Sequence, residues 1–276
     1  MKKYIKAARL ILLIASAAGL LWFGNVMMGN PVSHALAAKA AKAYLSDRLS
    51  DTDYQIERII YSFKDGRYHA FMVSPTSIDG DFSVCFSMLG KYCYDSYDSV
   101  LDGFNTARRL DSEYRKLTDT ILNDPARPYD NTQIYSILFG RLEICPKEAF
   151  EDPNVTDVPE YAIKQEDLEL NKIYDIKELG AKAGHLILYV DNEVISVEEA
   201  ARIMLDFRSM FDDAGIPFYA MDFVLRHPRM EDGKSDDKEI RINNFLYQDI
   251  YAEDLTDRIE TAIEGTAAYY DTWMIK

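Results

Sequence analysis

Cysteine is scarce in this chain of 276 residues: there are three, Cys85, Cys93 and Cys145. That is too few for a disulfide scaffold, and their spacings match no zinc pattern. Histidine occurs four times, at His34, His69, His185 and His227. None has a second His or a carboxylate at metal-ligand spacing on a helix. The chain also lacks a Gly-x-Ser-x-Gly elbow, a phosphate loop and a dinucleotide fingerprint. These absences leave no catalytic, cofactor-binding or metal-binding residue to name from the sequence. Positive charge is in deficit, with 31 Lys and Arg against 46 Asp and Glu, a formal charge of −15. Residues 1–30 hold four cations and no anion, so the rest of the chain stands four lower, at −19. A surface this acidic repels nucleic acid, which is excluded as a partner.

What is present is enough for real cores: 48 % hydrophobic residues and 19 Tyr, with no low-complexity segment and no repeat. The length suggests about two domains. Leu10–Met28 is a nearly continuous apolar run behind Lys2, Lys3, Lys6 and Arg9. As a helix it spans roughly one hydrocarbon core. The basic flank sets the N-terminus inside and the remainder outside. The reading is a single-pass membrane anchor over 1–30 in a bacterial cell envelope, with the rest extracytoplasmic. A cleaved signal peptide is the rival, since Ala35-Leu36-Ala37 offers a small-x-small site. Against it stands the helix that starts at Asn30-Pro31, where Asn30 is a good cap and Pro31 suits the first turn. That helix, about 31–48, carries Val32, Leu36, Ala40 and Ala43 on one face.

Two hairpins follow. Tyr54–Phe63 and Arg67–Ser74 flank Lys64-Asp65-Gly66; Asp81–Met88 and Lys91–Ser96 flank Leu89-Gly90. With a bulge glycine at Gly90, Cys85 lies opposite Cys93. Phe82, Val84, Phe86, Tyr92 and Tyr94 then share the core face. A disulfide between Cys85 and Cys93 is possible in that register, two unpaired thiols being the plainer reading; a two-residue turn would forbid the bond. Cys145, before Pro146, reads as a small buried hydrophobe. His69 faces Tyr61 across the first hairpin. His69 and His185 both read as satisfied sheet histidines.

Asp98–Asn123 has the spacing of one long amphipathic helix, decorated by Arg108, Arg109, Arg115 and Lys116. The Pro-rich stretch 125–132 reads as a linker between a first α+β domain, 31–124, and a second, 133–276. From His185 the order β-α-β-β-α, with a capping box at Ser196 and Glu199, suggests a ferredoxin-like sandwich. Ser235-Asp236-Asp237-Lys238 matches Ser-x-x-Lys but lies in a polar hairpin tip, and the acidic residues there have no EF-hand spacing. The fold class is α+β.

Several stretches together resemble the YfjL-like family of Bacillota membrane proteins. They include Gly29-Asn30-Pro31, Ala40-Ala41-Lys42-Ala43-Tyr44-Leu45, Thr52-Asp53-Tyr54 and Ser62-Phe63-Lys64-Asp65-Gly66-Arg67-Tyr68-His69. Asp102-Gly103-Phe104-Asn105-Thr106, Glu113-Tyr114-Arg115, the run from Gly184 to Val190, and Ile216-Pro217-Phe218-Tyr219 complete the set. The resemblance implies a single-pass protein with two extracytoplasmic α+β domains and carries over no functional residue. The functional expectation is a non-enzymatic binding protein whose partners are the membrane, through the N-terminal helix, and a protein or cell-envelope ligand. The alternatives are an envelope hydrolase or transferase using acidic residues, and an assembly subunit of a membrane complex.

Overall fold

The computed structural model describes residues 12–16, 19, 22–124, 138–152, 155, 158–228 and 238–274. The chain divides into two compact units, residues 1–105 and 106–276. This boundary falls in the first turn of a long helix, whereas the sequence reading draws it at 125–132, which overlaps residues outside those described.

In the N-terminal unit, α1 (Pro31–Arg48) is capped by Asn30, whose side chain accepts from the Ser33 N–H at 2.8 Å, with Pro31 in its first turn. Four strands follow as an antiparallel meander, β1 (Gln55–Ser62), β2 (Arg67–Val73), β3 (Phe82–Phe86) and β4 (Tyr92–Asp95), in the order β1-β2-β3-β4. α1 lays Ala37, Ala41 and Tyr44 against Tyr68, Ala70, Met72, Phe82, Val84 and Phe86. Two alanines in that stripe let the helix sit close to the sheet.

The expected membrane-spanning helix over Leu10–Met28 is corrected. Among the described residues no helix is long and apolar enough to cross a membrane. The end of the run is instead tied to the β1–β2 hairpin. The Tyr61 hydroxyl donates to the Val26 carbonyl at 2.8 Å, and the Tyr68 hydroxyl bonds both the N–H and the carbonyl of Asn30 at 2.9 Å. The single-pass topology and the cell-membrane localisation rested on that helix and are corrected with it.

The registers also differ from expectation. Gly66 and Gly90 do take positive φ, 67° and 74°. But Cys85 pairs with Tyr94, and Cys93 is the extra residue of an irregularity between Cys85↔Tyr94 and Phe86↔Tyr92. Such a bulge turns the strand locally. Tyr92 and Tyr94 accordingly point outward, 39 % and 46 % exposed, instead of joining the core. All three cysteines are free. His69 pairs with Ile60, not Tyr61.

The expected helix 98–123 is two: α2 (Asp98–Leu101) and α3 (Phe104–Leu122). Gly103, at φ 82°, breaks it, and the Asp102 carboxylate accepts from the Phe104 N–H at 2.9 Å to restart it.

The C-terminal unit holds β5 (Leu138–Leu142), β6 (Ile144–Cys145), α4 (Lys147–Glu151), β7 (Ile163–Lys164), α5 (Ile176–Ala183), β8 (Gly184–Asp191), α6 (Val197–Ala214), β9 (Ala220–Arg226), β10 (Glu239–Leu246) and α7 (Leu255–Met274). Its main sheet runs β10-β9-β8-β5, with β8 and β9 parallel and the outer pairs antiparallel. The ferredoxin-like expectation is corrected here. That fold splits its βαβ unit with an intervening strand, whereas β8 and β9 lie side by side across α6. The near-continuous apolar runs of both strands suit this doubly flanked position. α6 starts at the Ser196 cap and stops at Gly215, φ 61°. It buries Ile203, Met204, Phe207 and Phe211 on the sheet.

Candidate functional site

Five segments of the C-terminal unit bring polar groups together around one buried histidine. His185 is the second residue of β8, paired with Arg141 on β5 and Ala220 on β9. It is 3 % exposed. Its Nδ1 lies 2.7 Å from the Tyr161 hydroxyl and 3.3 Å from Glu143 Oε1. Its Nε2 lies 3.1 Å from Asp222 Oδ1, yet the geometry is too bent for a hydrogen bond, and Nε2 has no hydrogen-bond partner. Glu143 is buried and takes two contacts from Arg141, 2.7 Å from Nε and 2.6 Å from the terminal nitrogen.

The network continues outward through a bulge. Between Ile242↔Phe223 and Phe245↔Met221, β10 sets Asn243 and Asn244 against the single residue Asp222. Asn244 takes the left-handed conformation, φ 56°, which Asn adopts more readily than most residues. That turn aims its N–H at Asp222 Oδ1, 2.7 Å away, and sets its side-chain oxygen to accept from the Tyr161 hydroxyl at 2.6 Å. The ring of Tyr161 packs on Tyr219, centroids 4.4 Å apart.

Proton counting orders the cluster. Tyr161 gives its one hydroxyl proton to Asn244, so its oxygen receives the proton on His185 Nδ1. Burial, with the charges of Glu143 and Asp222, pushes the Tyr161 phenol well up, so it remains a donor. Burial works against the charge on Asp222, but the His185 contact and the Asn244 N–H outweigh it and hold the carboxyl below its usual range.

Asn244 also lines an open depression of about 410 Å³, with Asn243, Phe245, Leu246, Asp249, Asp254, Asp257, Arg258, Thr261 and Ala262 around it. Asp254 is left-handed too, φ 49°. Two of the chain's three described non-glycine residues with positive φ therefore border one pocket. The Arg258 guanidinium stacks on Tyr251 and donates to the carbonyls of Asp249 and Tyr251. It is held by the backbone and aromatic face, and none of the three carboxylates forms an ion pair with a described residue.

The residues singled out from the sequence lie elsewhere. Cys85 and Cys93 belong to the N-terminal sheet, and Asn30 and Pro31 to the start of α1. Ser235 to Asp237 fall outside the described residues. Asp53 closes a turn, accepting from Ser74 and Thr76 at 2.6 and 2.7 Å. Of the basic stripe, Arg109 binds Glu113 and the Lys172 carbonyl, and Arg115 lies over Phe139. Sequence reading passed over Tyr161, Glu143, Asp222 and Asn244, which share no motif. The available signals were an Asp inside the apolar run Ala220-Met221-Asp222-Phe223-Val224-Leu225 and an Asn pair inside a strand.

Two α+β units, each built on a four-stranded sheet, define the class of protein. The chain belongs to the YfjL-like family: the family model of the YfjL-like N-terminal domain matches residues 1–94, and that of the YfjL-like C-terminal domain matches residues 113–260. No curated protein and no solved structure matches it.

Proposed function

We propose that this protein is a binding module whose C-terminal unit takes a ligand carrying a basic group, such as a Lys or Arg side chain of a peptide. The observation that carries this reading is the Asn243–Ala262 depression. It is lined by Asp249, Asp254 and Asp257, its only cation among the described residues, Arg258, is engaged by backbone carbonyls, and Asn244, which also lines it, is held by Asp222 and Tyr161. Strained backbone at Asn244 and Asp254 fits a preformed site, since such strain collects where a ligand is met.

The test uses the full chain, isotope-labelled, titrated with short peptides that contain Lys or Arg and with the same peptides carrying Gln instead. The Lys or Arg peptides are expected to move the amide signals of Asn243, Asn244 and Asp257, more weakly at high salt. D254N and D257N are each expected to weaken binding while leaving the spectrum otherwise intact. Equal binding of the Gln peptides, or shifts that map away from this depression, would refute the reading.

A further inference from the structure

The outer face of the N-terminal sheet carries a second cluster. His69 on β2 and Cys85 on β3 are register partners, so their side chains rise side by side from the same face. Asp65 lies in the turn before β2, where Gly66 at φ 67° folds the chain back. Its Oδ2 is 3.0 Å from His69 Nε2. One ligand atom from each of Asp65, His69 and Cys85 lies within 4.8 Å of the others.

We propose that Asp65, His69 and Cys85 form a zinc site with three protein ligands and a fourth position open to solvent. The donor set is a thiol, an imidazole and a carboxylate. Zinc accepts all three in a tetrahedral arrangement, and three protein ligands plus water is its common open form. Calcium and magnesium are excluded by sulfur and nitrogen donors. Tetrahedral bonds of about 2.0–2.1 Å set neighbouring N and O ligand atoms roughly 3.3 Å apart, close to the separation of His69 and Asp65. The ion takes the place of the proton those two groups share.

Two neighbours of the Cys85 sulfur act in favour of its thiolate form. Tyr94, the register partner of Cys85, and Arg67 both favour its charged form, and such outer neighbours orient and tune a metal-bound thiolate. Without metal, burial keeps the Cys85 thiol above its ordinary value against those two neighbours. Binding releases its proton, Cys–SH giving Cys–S⁻ on the ion and H⁺ to solvent, so affinity rises with pH.

The experiment takes the full chain, reduced and stripped with chelator, and titrates zinc chloride against a chromophoric competitor. Cobalt serves as the optical probe. The expected result is one equivalent of zinc, a zinc-dependent rise in melting temperature and a thiolate-to-cobalt charge-transfer band. H69Q and D65N are expected to weaken zinc about tenfold or more, since even an outer contact contributes that much. C85S removes the band, and C93S and C145S keep it. Should C85S fail to fold, H69Q and D65N decide, because both sites are partly open to solvent. The proposal is overturned if the folded chain takes up less than one equivalent, if uptake survives both substitutions, or if the band is lost in C93S or C145S.

Discussion

His185 presents Nε2 to Asp222 Oδ1 at 3.1 Å without completing a hydrogen bond, while its Nδ1 is engaged by Tyr161. Burial opposes the charge on Asp222, but the His185 contact and the Asn244 N–H together hold its carboxyl below its usual range. A depressed folded value stabilises the protein above the unfolded value of about 3.9 and is lost as pH falls through the folded value. D222N is expected to cost about 1–3 kcal/mol near neutrality and to flatten the decline in stability across that acidic window. Urea unfolding at a series of pH values reads both effects. An unchanged acid slope would show that Asp222 is not coupled to folding.

Tyr114 fills the space left by two glycines. It is fully buried, its hydroxyl donates to the Pro217 carbonyl at 2.8 Å, and a Cβ at Gly184 would meet that oxygen at 2.3 Å. A Cβ at Gly180 would meet the ring at 2.5 Å. G184A is expected to cost about 1–3 kcal/mol by overpacking, and Y114F about 1 kcal/mol for the lost bond. Gly265 is the control. It lies inside α7, where an added Cβ meets nothing within 4 Å. G265A is expected to stabilise by roughly 0.5–1 kcal/mol through helix propensity. Denaturant midpoints moving in opposite directions for G184A and G265A are the outcome to look for.

The corner Gly29-Asn30 rests on Tyr68. Gly29 has φ 70°, and a Cβ there would lie 2.4 Å from the Tyr68 hydroxyl and 2.8 Å from the Tyr61 ring. G29A is therefore opposed by both backbone conformation and sterics, whereas Y68F loses only the two bonds to Asn30. The expected order of destabilisation in urea is G29A, then Y68F at about 1–3 kcal/mol, then wild type. Equal stability of Y68F and wild type would mean that water replaces the hydroxyl at no cost.

Local patterns were the legible part. The Asn30-Pro31 helix start, the Ser196 and Gly215 ends of α6 and the positive φ of Gly66 and Gly90 each rest on residues close in sequence. Register was not legible, because one residue of slip at the bulge beside Cys93 reverses which side chains share a face. The helix at 98–123 was read through Gly103, since its apolar spacing continues across the break. Leu10–Met28 was read from hydropathy and its basic flank, which say nothing of Tyr61 and Tyr68 reaching back to Val26 and Asn30. The His185 cluster was invisible for a different reason. Its members sit at positions 141, 143, 161, 185, 222 and 244, joined only by strand order. The same holds for Asp65, His69 and Cys85, whose spacing matches no linear metal motif.

Cys85 and Cys93 differ in reactivity. Cys85 is fully buried, and burial holds its thiol up despite the Tyr94 and Arg67 contacts. Cys93 is partly exposed in the bulge, where its Sγ lies 3.6 Å from the Lys91 carbonyl. The thiolate is the nucleophile, so iodoacetamide applied to the native, metal-free chain near neutral pH is expected to label Cys93 while sparing Cys85. Cys85 becomes reactive only in denaturant. Peptide mapping without reductant is expected to recover both as free thiols, because the register sets Cys85 against Tyr94. Rapid native labelling of Cys85, or a peptide joined through Cys85 and Cys93, would mean that this strand pair adopts the other register in solution.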